Sequence, residues 1–594
     1  MKNRPHVSMI GGEIHYGRLQ PRYWGPVLDA ARQLGVEVLA TYIIWDLHET
    51  SEGTYDFSSW RAFLAEVEKR GFKLIARPGP YVYSEWRNLG IPDHAVPYHK
   101  HHPEFRRKAA HWIAAVMAEI RPYLGQPIVC VQADNEIDPL PHFYGEDMGF
   151  ADWLKRHYPS VEALNRAWDS SYASFAEAIP TLTPFIEDQR LKDSCQYRYD
   201  LATDYARWAV AEYRKNGCTV PILLNTWPGV DAQHWRDLAD LCDLYGIDPY
   251  PSNECREDYR YFKDRIRLLR SVTDFPYLAE FGSGIWHGMP NREYSPDHYR
   301  LTALTALAGG VRGWNWYMLA DRDNWYRSPI NERGVARPEL APAFTQAVNW
   351  FRQLEDTPPP ETSFAVTWSW HYHQIAQLRK KDPDDPLFAV LHDMGIEYDY
   401  VDVDRDFTPP KLLLAAGRLD QPERLWHYVQ NGGNLVLFQQ LIEGCPRPDG
   451  TSHPGASHLE VSLGFVTRQP VFNYREVPGA AIVARQLPVI TDEDQRRHWE
   501  LATGRTYLTG YWATRGKGKI IVLGCAPSRD AILAVLRFLD INLPVLPLTP
   551  GVHAARRGKK LIVVNPGEAK TAKLQIDGQI TYVDLPRCSG IILG

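Results

Sequence analysis

Two glutamates stand where apolar runs of the sequence end, and their types and positions suit acid–base chemistry at a single bond. Glu136 follows the apolar run of IVCVQADNEI (128–137), and Glu280 follows that of PYLAEFGSG (276–284). Hydrolysis of a glycosidic bond needs one protonated and one ionised carboxyl group beside that bond. Asn135, directly before Glu136, could donate a hydrogen bond to a sugar 2-hydroxyl. The three residues predict a glycosidase site if the fold brings the two segments together.

Alternation of side chains around Glu136 decides which neighbours can share its site. Successive side chains of a strand point to opposite faces, so Asp134 and Glu136 would share one face and Asn135 the other. A bulge at the strand end is required to bring Asn135 and Glu136 into one site. Asp134 is then expected to be an inward rim group or an ion-pair partner, with a third catalytic acid as the alternative.

The first ~350 residues alternate short apolar runs with amphipathic segments, which is the pattern of βα units. Strands are predicted at 6–12, 36–45, 72–80, 127–136, 221–227, 241–250, 276–284 and 311–319. Helices are predicted among the segments between and after them, at 22–34, 58–70, 104–121, 196–215, 256–271, 295–308 and 340–354. Eight such repeats predict a (β/α)₈ TIM barrel. A doubly wound sheet is the alternative, but IGGEIHYG after the first strand is not a Gly-rich phosphate loop.

Polar and aromatic side chains follow the predicted strands on their C-terminal sides. In a (β/α)₈ barrel this rim holds the active site, and the fourth and seventh strands lie across its mouth from each other. Glu136 and Glu280 would therefore flank one sugar. Other candidates for substrate contacts near the rim are Glu13, Arg77, Glu85, Asn135, Tyr245 and Trp316, and Glu13 could instead form a rim hydrogen bond that fixes the first loop. One or two tryptophans of the set Trp286, Trp314, Trp316 and Trp325 are expected to stack on the sugar.

Composition excludes several other classes of function. The 594-residue chain has a formal net charge of −6 and no long basic run, which argues against nucleic acid or an anionic membrane as partner. Its 8 cysteines form no CxxC pair, so neither a disulfide framework nor a zinc cluster is expected. The sequence shows no signal peptide and no run of about 18 apolar residues. We expect a cytoplasmic enzyme without metal or cofactor.

Three domains are predicted. The proline run of EDTPPP (355–360) marks a linker after a catalytic barrel at 1–357. Residues 358–540 again show βα alternation and predict an open α/β domain with a β-rich insertion near 455–515. Residues 541–594 alternate with period two and predict a small antiparallel β domain.

The sequence resembles the retaining β-galactosidases of glycoside hydrolase families 35 and 42. GGEIHYGRLQPRYW, TYIIWDLHET and RPGPYVYSEW are similar to family 35, whereas YPSVEALNRAWDSSYASF is similar to family 42. Residues 361–540 resemble the amidotransferase-like trimerisation domain of family 42, and GKGKIIVLG and RRGKKLIVVNPGE fit its later parts. The resemblance implies a homo-oligomer, a trimer or a dimer.

The resemblance also implies roles for individual residues. Glu136 would be the general acid/base and Glu280 the nucleophile of a double displacement, with Tyr42, Glu85 and Asn135 contacting sugar hydroxyls. Retention requires the two carboxyl groups to lie about 5–5.5 Å apart. Glu280 must be ionised, with Arg77 and Tyr245 as candidate donors, and Glu136 must begin protonated. Family 35 usually has Glu where Asp134 stands, and its Gly-rich motif after strand eight is replaced by GGVRGWNWYML.

The expected function is hydrolysis of terminal β-galactosyl residues from a small oligosaccharide, and three alternatives stay open. An exo-β-glucosaminidase or another β-glycosidase could use the same fold; glucosaminidases resembling these families tend to carry an acidic residue where Asn135 stands. A non-catalytic carbohydrate-binding barrel would have lost one carboxylate. An aldolase or isomerase would show a Schiff-base lysine or a phosphate-binding glycine loop, and the predicted strand ends carry no lysine.

Overall fold

The computed structural model describes residues 7–137, 148–181, 183, 188–251, 256–288, 294–379, 386–417, 419, 422–438, 457–458, 481–485, 508–523 and 526–594. The chain divides into two compact units. The first comprises 1–358, 373–381 and 586–592, and the second 359–372, 382–585 and 593–594. The division into three domains stays a prediction.

Eight parallel strands of the first unit close into a barrel. They are β1 (Ile10–Glu13), β2 (Val38–Tyr42), β3 (Lys73–Gly79), β4 (Ile128–Ala133), β5 (Ile222–Thr226), β6 (Leu244–Ile247), β7 (Tyr277–Gly282) and β8 (Gly313–Tyr317). Neighbours in the barrel are neighbours in the chain, and β8 closes onto β1 with Gly11 opposite Asn315. Seven strands lie within their predicted segments and the first ends one residue later, so the predicted (β/α)₈ barrel is confirmed.

Helices occupy the segments between the strands. They are α1 (Pro21–Gln33), α2 (Ser58–Lys69), α3 (Pro103–Ile120), α4 (Phe150–His157), α5 (Val161–Trp168), α6 (Gln189–Lys215), α7 (Trp235–Leu241), α8 (Arg256–Val272), α9 (Pro296–Ala308) and α10 (Ala341–Leu354). α9 shows how local sequence sets a boundary: Ser295 accepts a hydrogen bond from the backbone N–H of His298, and proline occupies the first helical position. No helix among the described residues is long and apolar enough to cross a membrane.

The barrel interior changes from apolar to polar toward the C-terminal ends of the strands. A buried apolar layer fills its lower part, made of Met9, Val38, Ala40, Ile75, Cys130, Leu223, Leu244, Tyr277 and Ala279. Residues two positions further along a strand point the same way. Arg77, Gln132 and Asn225 stand two positions beyond members of this layer, and all three are buried. Apolar packing thus seals the barrel below a layer of polar side chains.

A bulge in β7 turns Glu280 toward the barrel interior. The pairing of β7 with β8 gains an extra β7 residue after Leu278, so Ala279 and Glu280 together lie opposite one residue of β8. Ala279 belongs to the apolar layer, and Glu280 also points inward, because its carboxylate contacts side chains of β2 and β3. Strict alternation would have directed Glu280 toward the helices, so the bulge is what places it in the barrel mouth.

The second unit contains an open α/β sheet, as predicted. Its strands are β9 (Ala365–Trp368), β10 (Asp399–Asp402), β11 (Leu412–Leu414), β12 (Asn434–Phe438), β13 (Ser457–His458), β14 (Ala481–Arg485), β15 (Leu508–Arg515) and β16 (Gly518–Leu523). β10, β9, β11, β12 and β16 run parallel in that order, and β15 continues the sheet antiparallel. The remaining helices are α11 (Trp370–Leu378), α12 (Pro386–Met394), α13 (Pro422–Gln430) and α14 (Arg529–Phe538). Most of the insertion predicted near 455–515 lies outside the described residues.

The C-terminal segment forms short strands in the predicted antiparallel manner. They are β17 (Val545–Pro547), β18 (His553–Arg557), β19 (Lys560–Asn565), β20 (Lys570–Ile576), β21 (Gln579–Leu585) and β22 (Ser589–Leu593). β20 pairs antiparallel with both β17 and β21, and β18 pairs antiparallel with β19. Ala572 and Leu574 are buried whereas Thr571 and Lys573, which alternate with them, are exposed, and this is the period-two pattern of the sequence.

Candidate active site

A cavity of about 200 Å³ opens at the C-terminal rim of the barrel. Five of the predicted site residues line it: Tyr42, Glu85, Asn135, Glu136 and Glu280. Much of the remaining wall is aromatic, from Tyr83, Tyr250, Trp286, Tyr294, Tyr317 and Trp325. Aromatic faces around a few convergent polar groups are typical of a site for a small ligand with apolar and hydrogen-bonding surfaces.

Glu280 accepts hydrogen bonds on both carboxylate oxygens. Tyr42 Oη donates to Oε1 over 3.1 Å, Arg77 donates to the same oxygen, and Tyr250 Oη donates to Oε2 over 2.5 Å. Burial, and the neighbouring charge of Glu280, raise the pKa of Tyr42 and Tyr250 well above the ordinary value, so both hydroxyls keep their protons. Donors to both oxygens stabilise an ionised carboxylate, which is the form that a nucleophile requires.

Arg77 on β3 joins three groups of the site. Its guanidinium donates to Glu13, to Asn135 Oδ1 over 2.6 Å and to Glu280. Its Cζ lies 4.1 Å from the centroid of the Tyr42 ring. The planar guanidinium offers its donors in fixed directions, so one buried cation sets the relative positions of three acceptors. Arg77 does not line the cavity, so its substrate contact stays a prediction, whereas its expected hydrogen bond to Glu280 is present.

Glu13 also lies outside the cavity wall, and its substrate contact stays a prediction. Its carboxylate pairs with Arg77 and accepts from Asn315 Nδ2 over 2.7 Å. Burial raises the pKa of Glu13 to about 7, and the charge of Glu280 adds to that effect while Arg77 opposes it. Arg77 therefore forms ion pairs with two carboxylates, those of Glu13 and Glu280.

Replacing Glu13 with glutamine should stabilise the protein progressively as the pH rises from about 4.5 to about 7. A group whose pKa is raised by folding contributes stability below its unfolded-state pKa and loses it as the pH passes the folded-state value. Glutamine has no such loss, and the effect is on the order of 2–3 kcal/mol. Denaturant unfolding of both proteins near pH 5 and near pH 8 measures it. A difference in unfolding free energy that is equal at the two pH values would contradict the prediction.

Asn135 is held with its amide nitrogen free for a ligand. Its Oδ1 accepts from Arg77, from Gln132 Nε2 over 3.2 Å and from Asn225 Nδ2 over 2.8 Å. A guanidinium only donates, so oxygen must be the amide atom on that side. The Nδ2 of Asn135 has no partner among the described residues. Since Asn135 lines the cavity, it offers a donor there.

The backbone turns sharply after β4 and brings Glu136 into the cavity. Asp134 and Glu136 have φ values of 62° and 49°, in the left-handed region that breaks strand alternation. Asp134 Oδ1 accepts from Tyr81 N over 2.8 Å, and its Oδ2 pairs with buried Lys100 at 3.0 Å. The N–H of Glu136 donates to Asn225 Oδ1 over 3.0 Å. The left-handed turn brings Asn135 and Glu136 into one site, which a bulge was expected to do. Asp134 is an ion-pair partner of Lys100.

Glu85 presents a carboxylate to the cavity from a loop with an unusual backbone conformation. Arg322 and Trp325 Nε1 each donate to one of its oxygens, the tryptophan over 3.3 Å. Residues 83–85 have φ values of 53°, 45° and 48° in succession. Left-handed backbone of this kind costs on the order of 1–3 kcal/mol per residue and persists only where its surroundings fix it. Arg18 donates to two backbone carbonyls of this loop, at 3.2 and 3.1 Å, and thereby holds it.

Trp316 and Tyr245 are not among the residues that line the cavity, and their substrate contacts stay predictions. The Trp316 ring packs 4.7 Å from that of Phe344 on α10, and Tyr245 Oη hydrogen-bonds Thr226 Oγ1 over 2.7 Å. Both side chains point from their strands toward the helices. Alternation along β8 explains why Trp316 does not line the cavity, because Tyr317, the next residue, faces it instead.

Tyr250 was missed as a contact of the nucleophile candidate, whereas Trp286 and Trp325 belong to the set of tryptophans expected to stack on the sugar. Tyr250, rather than Tyr245, donates to the nucleophile candidate, and it stands in the DPY sequence that ends the sixth predicted strand. Trp286 and Trp325 line the cavity and lie opposite each other in a short two-stranded antiparallel sheet. The two strands come from separate loops, and apolar periodicity within either loop does not predict their pairing.

Comparison with known proteins places these features among glycoside hydrolases. Residues 1–177 match the model of glycosyl hydrolases family 35. An exo-β-D-glucosaminidase of Thermococcus kodakarensis is 28% identical over 87% of this chain and 77% of its own length. A β-galactosidase of Xanthomonas manihotis is 33% identical over 22% of this chain and 23% of its own.

Solved structures share the architecture along the whole chain. A cold-adapted β-galactosidase from Rahnella sp. R3 superimposes with a TM-score of 0.76 at 16% identity, covering 100% of this chain and 99% of its own. A catalytic mutant of a GH42 β-galactosidase from G. stearothermophilus gives a TM-score of 0.72 at 14% identity, covering 100% and 99%. The family 35 match at the N-terminus and the family 42 fold confirm the predicted resemblance to both families.

Proposed function

We propose that this glycoside hydrolase, whose fold is like that of families 35 and 42, releases terminal β-galactosyl residues with retention of configuration. The observation that carries the proposal is one cavity lined by Glu136, Glu280 and the amide of Asn135. Glu280 is surrounded by donors that suit a nucleophile, and Asn135 keeps a free donor for the sugar. The proposal therefore needs no group beyond the side chains present.

In the first step, a Glu280 oxygen attacks the anomeric carbon and the bond to the leaving oxygen breaks. Glu136 gives its proton to that oxygen, and the sugar is left as an ester of Glu280. In the second step, Glu136 takes a proton from water while the water oxygen attacks the same carbon and releases Glu280. Two inversions give overall retention, and both carboxyl groups return to their starting states.

The size of the cavity supports exo action. A volume of about 200 Å³ suits a single sugar ring, and the loop that presents Glu85 belongs to its wall. Arg18, Arg322 and Trp325 fix that loop, so it offers a rigid end to the glycone site. A chain of sugars threaded through the site would need this end to be open.

The amide of Asn135 favours a 2-hydroxyl over a 2-ammonium group on the sugar. Its oxygen already accepts three hydrogen bonds, so the atom left for the substrate is a donor. A hydroxyl can accept from this donor, whereas an ammonium group has no acceptor lone pair. Galactose therefore fits better than glucosamine at this position.

Exo-β-glucosaminidase activity is the second candidate, and one specific observation favours it. The relatives from Thermococcus kodakarensis and Pyrococcus horikoshii that match 87% and 97% of this chain both carry that name. For this chain to act likewise, a carboxylate other than the residue at 135 would have to receive the 2-ammonium group. Glu85 is a carboxylate on the cavity wall, but Arg322 already offsets its charge.

Nitrophenyl β-glycosides of galactose, glucose and glucosamine, assayed with the wild type and Asn135→Asp, test the choice of sugar. We expect kcat/KM to be highest for the galactoside in the wild type. In Asn135→Asp one carboxylate oxygen replaces the free donor, so the ratio of glucosaminide to galactoside activity should rise about 10–100-fold, the equivalent of a charge-assisted hydrogen bond. A wild type that prefers the glucosaminide would overturn the galactosidase proposal and leave the retaining mechanism in place.

A further inference from the structure

Asp248, directly after β6, is a buried carboxyl group that the double displacement does not use. It is 1% exposed and does not line the cavity. Its Oδ2 accepts from Asn225 Nδ2 over 2.6 Å, and its Oδ1 has no hydrogen-bond partner among the described residues. A buried carboxyl without a salt-bridge partner is costly to keep, so a specific role is expected for it.

Asn225 on β5 uses its whole amide group within the site. Its Nδ2 donates to Asp248 and to Asn135 Oδ1, over 2.6 and 2.8 Å. Its Oδ1 accepts from Gln132 Nε2 over 2.9 Å and from the backbone N–H of Glu136 over 3.0 Å. Two donors and two acceptors saturate the amide, so the side chain has one orientation. Asn225 thus hydrogen-bonds both the main chain of Glu136 and the side chain of Asn135, and it fixes their relative positions.

Asp248 sets the direction in which the Asn225 amide faces. Its Oδ2 accepts the hydrogen bond, so nitrogen is the Asn225 atom on that side and oxygen the atom facing Glu136. Burial first, and then the charges of Glu280 and Glu136, raise the pKa of Asp248 well above its ordinary value. The raised pKa favours the neutral carboxyl, and its carbonyl oxygen can still accept the hydrogen bond from Asn225.

We propose that Asp248 is a positioning residue for proton transfer by Glu136, acting through Asn225. The inference rests on the proposed function, because it assigns Asp248 to the acid/base step of that reaction. Without the acceptor at position 248, the Asn225 amide loses one of its four hydrogen bonds, so its contact with the N–H of Glu136 is less firmly held in place. The acid/base remains present but misplaced, and proton transfer is sensitive to such displacement.

Two variants of Asp248 separate this role from packing alone. Asp248→Leu keeps the bulk and removes the acceptor, whereas Asp248→Asn keeps an acceptor oxygen without charge and is the matched control. Each full-length variant is assayed with aryl β-galactosides whose leaving groups range from 2,4-dinitrophenol to phenol, and with lactose. The value of kcat/KM reports the first step, in which the leaving oxygen is protonated.

We expect Asp248→Leu to lower kcat/KM for the phenyl galactoside and lactose about 10–100-fold more than for the dinitrophenyl galactoside, which hardly needs an acid. In Asp248→Asn the ratio of kcat/KM for the dinitrophenyl galactoside to kcat/KM for the phenyl galactoside or lactose should exceed that of the wild type by no more than about threefold, since the hydrogen bond to Asn225 survives. Asn225→Ala removes the shared amide itself and should reproduce the pattern of Asp248→Leu, which covers the case that the leucine variant does not fold.

Equal losses on all leaving groups in Asp248→Leu or in Asn225→Ala, as a purely structural role would give, would overturn the inference. Failure of the proposed function appears separately, as a wild type without activity on β-galactosides. If the glycoside panel selects another sugar, the same aglycones on that sugar replace the galactosides, and the comparison between variants is unchanged.

Discussion

Replacing Glu280 with glutamine should lower hydrolysis by about 10⁴-fold or more, because the carboxylate that attacks the anomeric carbon in the proposed mechanism is removed. Glutamine keeps the size of the side chain but is neutral and a poor nucleophile. Tyr42, Arg77 and Tyr250, which donate to the carboxylate, would meet an amide that cannot accept from all of them. The loss should appear in kcat for every leaving group, since the first step itself is blocked.

Glu280→Ala provides a more specific readout, because it leaves a space where the carboxylate was. Added azide can enter that space and attack the face of the sugar that Glu280 attacked. The expected product is an α-glycosyl azide, formed from an activated β-glycoside by a single inversion. Tyr42→Phe keeps the nucleophile and serves as the control that azide should not rescue. Azide rescue of Glu280→Ala that gives the β-azide would contradict the assignment.

Glu136→Ala should have an effect that depends on the leaving group. For lactose the loss in kcat/KM should be about 10²–10⁴-fold, the usual contribution of general acid catalysis, and for a dinitrophenyl galactoside far smaller. The second step also loses its base, so the ester on Glu280 should accumulate and produce a burst of dinitrophenol. A loss of equal size on both substrates would count against Glu136 as the acid/base.

Azide distinguishes the two glutamates by the product that it forms. In Glu136→Ala it attacks the ester on Glu280, which gives a β-glycosyl azide and overall retention. The α-azide from Glu280→Ala and the β-azide from Glu136→Ala are products of opposite configuration from one pocket. Nuclear magnetic resonance of the azide products reads the configuration directly. An identical product from both variants would remove the distinction between nucleophile and acid/base.

The strands of the barrel were predictable because each is a short apolar run between amphipathic segments. A barrel with eight strands fixes which strand ends meet, so Glu136 and Glu280 could be placed at one mouth before any coordinates. The resemblance to families 35 and 42 added Tyr42, Glu85 and Asn135 as expected sugar contacts, and all three line the cavity. Strand-end residue types and the resemblance together pointed to this rim.

Side-chain direction at the strand ends was not predictable, because it depends on local departures from alternation. The bulge at Ala279 and Glu280 turns two consecutive residues inward. The left-handed turn at Asp134 and Glu136 likewise brings Asn135 and Glu136 to the cavity after β4. On β8, regular alternation put Tyr317 rather than Trp316 in the cavity. Register and backbone angles set these outcomes, and residue type alone carries little information about them.

The buried polar network was also beyond the sequence. Asn225 and Asp248 were each recognisable as strand-end residues, but their 2.6 Å hydrogen bond follows from the pairing of β5 with β6. Arg77 likewise was expected to assist Glu280, yet its second carboxylate partner, Glu13, comes from β1. Contacts of this kind join different strands across the barrel interior, and they can be identified only once the barrel is closed.

The division of labour between Glu280 and Glu136 is tested most directly by trapping the covalent intermediate. A 2-deoxy-2-fluoro-β-galactoside with a dinitrophenol leaving group should inactivate the enzyme, because fluorine slows the second step more than the activated first step. Peptide mass mapping of the inactivated protein should find one fluorosugar, on the peptide that contains Glu280. A label on any other residue would contradict the mechanism.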